Sequence, residues 1–365
     1  MKTLAVAIAV VAAPIASAQL TRPDTANFVV LGEGLAAGMG DFGLHEVWQK
    51  GSFPAVMARA FNTNFPIPLI QAPGIGNAPG WPQLPARVPG RWQTTVREAS
   101  PSLFVFHLAV PGLRLEDALA RRPREPLVQT NDPLQTSVNL LLGFPALVFG
   151  NDKPRWSQAD YAVAMRPTLA LVALGYTEAC QAAAAGDTAL LPSTGAFRSS
   201  YDRLLDQLRA TYADLVVVNI PDPFDTAYFA AQADGSFKAA PAGAVVAGDA
   251  AARVRAGVAA LNREIASSAQ AHNAALVDAQ ALFARWRAGG LTAGTRRLTA
   301  DYLGGIYNFS GFYPGHTGQA AIANAALAAI NQTYSSNFPL ADLGAIAAGD
   351  PAVKYRLTPS SERAR

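Results

Sequence analysis

Asn27-Phe28-Val29-Val30-Leu31-Gly32-Glu33-Gly34-Leu35-Ala36-Ala37-Gly38 is the stretch on which the reading of this chain turns. Four consecutive apolar residues, Phe28 to Leu31, predict a short strand with no alternation, of the kind covered on both faces. The run breaks at Gly32-Glu33-Gly34, where small residues allow a sharp backbone turn. Open α/β sheets bind ligands outside the carboxyl ends of their strands, so this turn is the first place to look for chemistry.

Outward from that turn, the same grammar repeats. Ser52–Phe61 carries Phe53, Val56, Met57 and Ala60 at helical spacing, with Pro54 tolerated in the first turn. Pro66–Trp92 is a Pro- and Gly-rich excursion bearing Trp81 and Trp92, and long irregular loops commonly cover or line a binding site. Ser102–Val110 reads as a second strand that ends at Pro111-Gly112, and residues 113–157 read as irregular. Ser157 with Asp160 starts a short helix. Thr168–Leu174 is a third strand running into Gly175-Tyr176-Thr177-Glu178. Ala196–Tyr212 is an amphipathic helix, Asp214–Ile220 a fourth strand, Ala250–Ala271 a long Ala-rich helix and Ala274–Asp278 a fifth strand. A last helix covers about Thr317–Ile330. Apolar strands alternating with helices predict an α/β three-layer sandwich around a central, mostly parallel five-stranded sheet. The expected plan is one domain over 19–345, with insert loops at 66–100 and 113–157 and a polar C-terminal tail over 346–365, loose past Pro351.

Composition sets the outer bounds. Half of the 365 residues are hydrophobic and only 15% are charged, below the ~25% usual for globular domains. A net charge of +3 without a basic cluster gives no case for nucleic acid. Residues 1–18 read as a signal peptide: Lys2, an apolar core over Leu4–Ala13, and Ala16-Ser17-Ala18 before Gln19. Export to the periplasm or exterior is the resulting expectation, with no membrane span in the mature chain. Cys180 is the single cysteine, so no intramolecular disulfide forms. No His, Cys or carboxylate set has metal-ligand spacing, and neither a metal nor another cofactor is expected.

The order of these pieces resembles the SGNH (GDSL-type) hydrolases, in particular their exported bacterial group. Gly32-Glu33-Gly34-Leu35 stands where that family has Gly-Asp-Ser-Leu, and Leu108-Ala109-Val110-Pro111-Gly112 fits its second block. Val216–Asp222 resembles its fourth strand, and Pro314 with Gly318–Asn324 its final block. The resemblance spans roughly Asn27 to Leu340, and it implies an esterase- or lipase-like fold. That family's chemistry needs a serine nucleophile, a histidine base oriented by an aspartate, and oxyanion donors. Carried over position by position, the serine becomes Gly34, the oxyanion asparagine Thr177, the aspartate Ser310 and the histidine Tyr313, while the oxyanion glycine is kept as Gly112. Losing the serine or histidine alone costs on the order of 10⁶ in turnover in a serine protease. The resemblance therefore implies a framework without its catalytic side chains.

Other residues keep a catalytic alternative open. Glu33 is either a base acting on water or a carboxylate bonded to nearby backbone N–H groups, and Glu178 carries the same ambiguity. Two carboxylates in one cleft would suit glycan hydrolysis. His316 is either a displaced base or a polar residue at a helix start. Tyr176, Phe312 and Tyr313, with Trp81 and Trp92, either pack or line an aromatic cleft for acyl or carbohydrate ligands. His107 reads as a core histidine. The expectation is a binding or accessory protein, with an ester or glycan hydrolase using Glu33, Glu178 and His316 as the alternative.

Overall fold

The computed structural model describes residues 23–79, 96–97, 105–143, 155–239 and 243–356. Phe28–Gly32 (β1), Leu169–Ala173 (β2), Asp214–Val218 (β3) and Ala275–Val277 (β4) form a sheet in that order, every neighbouring pair parallel. All residues of β1 and β2 are buried, as continuous apolar runs require when helices cover both faces. Phe28 lies opposite Leu169 and Gly32 opposite Ala173, so these two central strands stop level with each other.

The fifth strand is thinner than the sequence predicts. Residues 106–110 run beside the free side of β1: Val30 N donates to Phe106 O (2.9 Å), Leu108 N to Val30 O (2.9 Å) and Val110 N to Gly32 O (3.1 Å). The only bridge there is Val30 with His107, because Phe106 N and His107 N turn the other way, to Pro66 O. Counting this edge, the chain's second strand lies outside its first, and the third to fifth follow on the other side. That is a doubly wound order whose switch point is the gap between β1 and β2.

The helices that matter are Gly34–Ala37 (α1), Phe53–Phe61 (α2), Leu115–Ala120 (α3), Pro133–Leu141 (α4) and Gln158–Ala164 (α5). Tyr176–Ala185 (α6), Thr194–Arg209 (α7), Gly248–Ala271 (α8), Ala279–Gly289 (α9) and His316–Thr333 (α10) follow. Helices α2, α9 and α10 cover one face of the sheet; α5, α7 and α8 cover the other. The three-layer α/β sandwich is therefore the observed architecture.

Two stretches are more regular than their sequence suggests. The segment read as irregular over 113–157 contains α3 and α4. Helix α4 begins where the Asp132 side chain accepts from Gln135 N (2.9 Å), with Pro133 in the first turn. The polar tail, expected to be loose past Pro351, follows a helix at Leu343–Gly349 and itself begins with a short helix at Pro351–Lys354. Asp350 between them is buried and accepts from both Thr317 N and Thr317 Oγ1 (2.7 Å each), which ties the tail to the start of α10. Residues 357–365 lie outside the described residues, as does the expected signal peptide. No described helix is long and apolar enough to cross a membrane.

Candidate functional site

Because β1 and β2 stop level, the residues that follow them meet at the switch point. Glu33 leaves β1 and caps α1, its Oε1 accepting from Leu35 N (3.3 Å). Its Oε2 accepts from the Thr177 hydroxyl at the start of α6 (3.1 Å). Glu33 is fully buried, and that burial pushes its carboxyl up to about 8, against the pull of these hydrogen bonds. Next to Thr177, Glu178 accepts from Leu115 N through Oε1 (2.9 Å), while its buried Oε2 has no hydrogen bond. Burial pushes this carboxyl up to about 7. The charge of Glu178 raises Glu33 further. Burial thus favours the protonated form of both carboxyls, Glu33 more than Glu178.

Gly34, the first residue of α1, sits directly under the Tyr313 ring. A Cβ built on Gly34 would fall 2.6 Å from Tyr313 Oη and 2.8 Å from its Cζ, closer than real Cβ contacts come. Glycine at 34 is thus a matter of space. The ring is held in place by its own turn: Tyr313 N donates to Ser310 Oγ (3.2 Å), and Ser310 Oγ donates to Asn308 Oδ1 (2.6 Å). From the other side, Tyr176 Oη donates to Phe312 O (2.9 Å), and the Tyr176 and Tyr313 rings meet edge to face at 6.1 Å. Burial raises the Tyr313 phenol well above its ordinary range, with the Glu33 charge adding to the effect, so it has no use as a base.

His316 is elsewhere. Its Nε2 contacts Val47 O (3.0 Å) and its ring packs edge-on against Trp48 (4.9 Å). The side-chain partners of Glu33, Glu178 and His316 are therefore on three different segments, and the trio does not share a set of contacts. Tyr176, Phe312 and Tyr313 are buried, with Phe312 stacked on Tyr228 at 4.0 Å, so these aromatics pack and do not face an open cleft. Trp81 and Trp92 lie outside the described residues. His107 is buried with Nε2 3.5 Å from Ser52 Oγ, and burial lowers it to about 4, which leaves a neutral core histidine.

An open cleft of about 600 Å³ lies beside this packed centre. Its floor is the Pro111-Gly112 turn and Thr177; its walls come from Gly76–Pro79, α3, α4 and Gln181 of α6. Gly112 has φ +79°, a conformation that favours glycine, and a Cβ there would have only Leu134 Cδ1 nearby, at 3.8 Å. The loop expected to line a site thus contributes its first part, through residues 76–79. Arg114, Arg121, Asp117 and Gln181 line the same cleft and were not singled out from the sequence. The available signal was position: Arg114 follows the Pro111-Gly112 turn by two residues, and Gln181 lies one helical turn past Thr177. Among the described residues no group of three or more His, Cys, Asp or Glu side chains could hold a metal ion.

No family model matches the chain, and no curated protein matches it. Solved structures with a similar chain path do exist. An α/β-hydrolase enzyme from the Lake Arreo metagenome is 14% identical, over 86% of this chain and 98% of its own, with a TM-score of 0.43. A phospholipase A1 from Streptomyces albidoflavus is 14% identical over 85% and 100%, with a TM-score of 0.41. An extracellular lipase from Streptomyces rimosus is 14% identical over 82% and 98%, with a TM-score of 0.40. At such identities and TM-scores the likeness assigns neither a family nor an activity.

Proposed function

We propose that this chain is an exported SGNH-hydrolase-like protein that keeps the framework, lacks the catalytic side chains and works by binding. The observation that carries this reading is the contact between Gly34 and Tyr313. The sequence resemblance makes these the positions of the nucleophile and of the base, and they are packed ring against backbone with no room for a side chain at 34. Both groups needed for acyl transfer are missing at the place where they would have to meet. A retained binding role is supported by the cleft next door, which is floored by Gly112 and Thr177, the two positions that the resemblance assigns to the oxyanion site. The relocated alternative has no such support, since His316 is engaged with Val47 and Trp48 and Glu33 is sealed from solvent. Export, by cleavage near Ala18-Gln19, belongs to the same proposal and rests on the N-terminal pattern alone.

Hydrolysis of p-nitrophenyl acetate, p-nitrophenyl butyrate and acetylated xylan tests it, with His316→Ala measured in parallel. Both proteins are expected to run at the buffer rate. Turnover in the unsubstituted protein that disappears in His316→Ala contradicts the proposal.

A further inference from the structure

Glu178 has a requirement that its surroundings do not meet. It lies in the first turn of α6, is only 3% exposed, and uses Oε1 to accept from Leu115 N at 2.9 Å. No described group donates to its buried Oε2, and a buried carboxylate oxygen without a donor costs stability. Arg114, whose charge does reach Glu178, gives its hydrogen bonds to a neutral partner. Gln181 Oε1 accepts from Arg114 Nε at 3.2 Å and also from Nη2.

Glu178 borders a second cavity, of about 220 Å³, which shares Arg114 and Glu116 with the Gly112 cleft but not its turn. Residues 189–192, which lead from α6 to α7, line it with Phe197 and Ser200 of α7. The lining is therefore amphipathic: Leu190, Leu191, Pro192 and Phe197 are apolar, while Arg114, Glu116 and Glu178 are charged. Two carboxylates against one guanidinium leave a surplus of negative charge. An anion would meet both carboxylates. An apolar molecule would cover Glu178 further and still bring no donor to Oε2. An ammonium supplies the donor and the opposite charge together. Burial holds the Glu178 carboxyl up to about 7, and a cation beside it favours the ionised form.

We infer that this second cavity binds a small primary amine with an apolar body, its ammonium on Glu178 Oε2 and its body against Leu191, Pro192 and Phe197. An apolar cavity of ~150 Å³ accommodates benzene, so about 220 Å³ has room for such a ring with an aminomethyl arm. The inference goes beyond the proposed binding role, because it stands on a different cavity and holds whether or not the chain hydrolyses esters.

Ligand-observed NMR titration of the whole protein tests it with benzylamine, benzyl alcohol and benzoate as probes. Benzylamine is expected to bind, benzyl alcohol to bind at least about tenfold more weakly, and benzoate to stay silent. Glu178→Gln keeps the size and an acceptor for Leu115 N. It should weaken benzylamine about ten- to a hundredfold, the equivalent of one charge-assisted hydrogen bond. Ser200→Phe, at a half-buried lining position, should abolish binding by filling the cavity, and it is the decisive variant if Glu178→Gln does not fold. Silence from benzylamine overturns the inference and leaves a cavity that takes water alone. Benzyl alcohol or benzoate binding as well as the amine overturns it too. So does benzylamine binding that survives unchanged in Ser200→Phe or in folded Glu178→Gln.

Discussion

Two regions lie side by side at the carboxyl edge of one sheet, and they have opposite character. Over the β1–β2 gap, Gly34, Glu33 and Tyr313 form a close-packed block buried from solvent. One turn away, above Gly112, the edge is open and lined by paired charges. The switch point of a doubly wound sheet is where a ligand is expected. Here a tyrosine ring packs over half of that location, and the other half is an open cleft. The difference teaches that two neighbouring positions at one sheet edge can be packed independently, because they are built on different turns.

The contrast can be broken by substitution. Tyr313→Ala removes a fully buried ring from the packed half and should destabilise the protein by about 3–5 kcal/mol, read by urea unfolding. Gln181→Leu in the open half removes one partly exposed contact and should cost only about 0.5–1.5 kcal/mol. Similar losses from the two changes would mean that the packed half is less tightly built than the contacts indicate.

The buried carboxyls sharpen the comparison further. Glu33 has its proton held more tightly in the folded chain, about 8 against an ordinary 4.5, with burial as the cause. The folded state therefore keeps a proton that the unfolded state has released, and stability falls as pH rises through that window. The loss is up to about 1.4 kcal/mol per pH unit. Glu178 contributes in the same direction up to about 7. Glu33→Gln, which keeps the shape and cannot ionise, should flatten the decline of unfolding free energy between 4.5 and about 8. A decline as steep in the variant as in the parent would show that Glu33 is not the buried acid responsible.

Much of this was legible in the sequence, for a common reason. Phe28–Leu31, Leu169–Ala173 and Leu215–Val218 announce themselves as unbroken apolar runs, and such runs suit strands covered on both faces. The amphipathic stripe of Phe197, Tyr201, Leu204, Leu205 and Leu208 likewise located α7 to within a few residues. Helices α3 and α4 were missed because they are short, and their stability comes from caps and ion pairs such as Arg121 with Asp117 and Asp132. The ordered tail was missed for a similar reason: its anchor is one carboxylate, Asp350, bonded to Thr317.

At the site, the sequence offered the identities of Gly34 and Tyr313 but not their contact. That contact depends on the Asn308–Tyr313 turn and on the hydrogen bond from Tyr176 to Phe312 O. Nor could residue types alone separate Glu33 as a base from Glu33 as a cap. Its bonds to Leu35 N and Thr177 Oγ1 make it a buried cap that joins two strand ends.

The most direct test of the central claim is a double-mutant cycle on Gly34→Ser and Tyr313→Ala, followed by urea unfolding. Gly34→Ser alone should destabilise by about 1–3 kcal/mol, since its Cβ would enter the Tyr313 ring. In the Tyr313→Ala background the same substitution should cost little, leaving a coupling close to the full single-mutant penalty. An equal cost in both backgrounds would mean that Tyr313 does not occupy the space above residue 34, and the account of a sealed centre would fall with it.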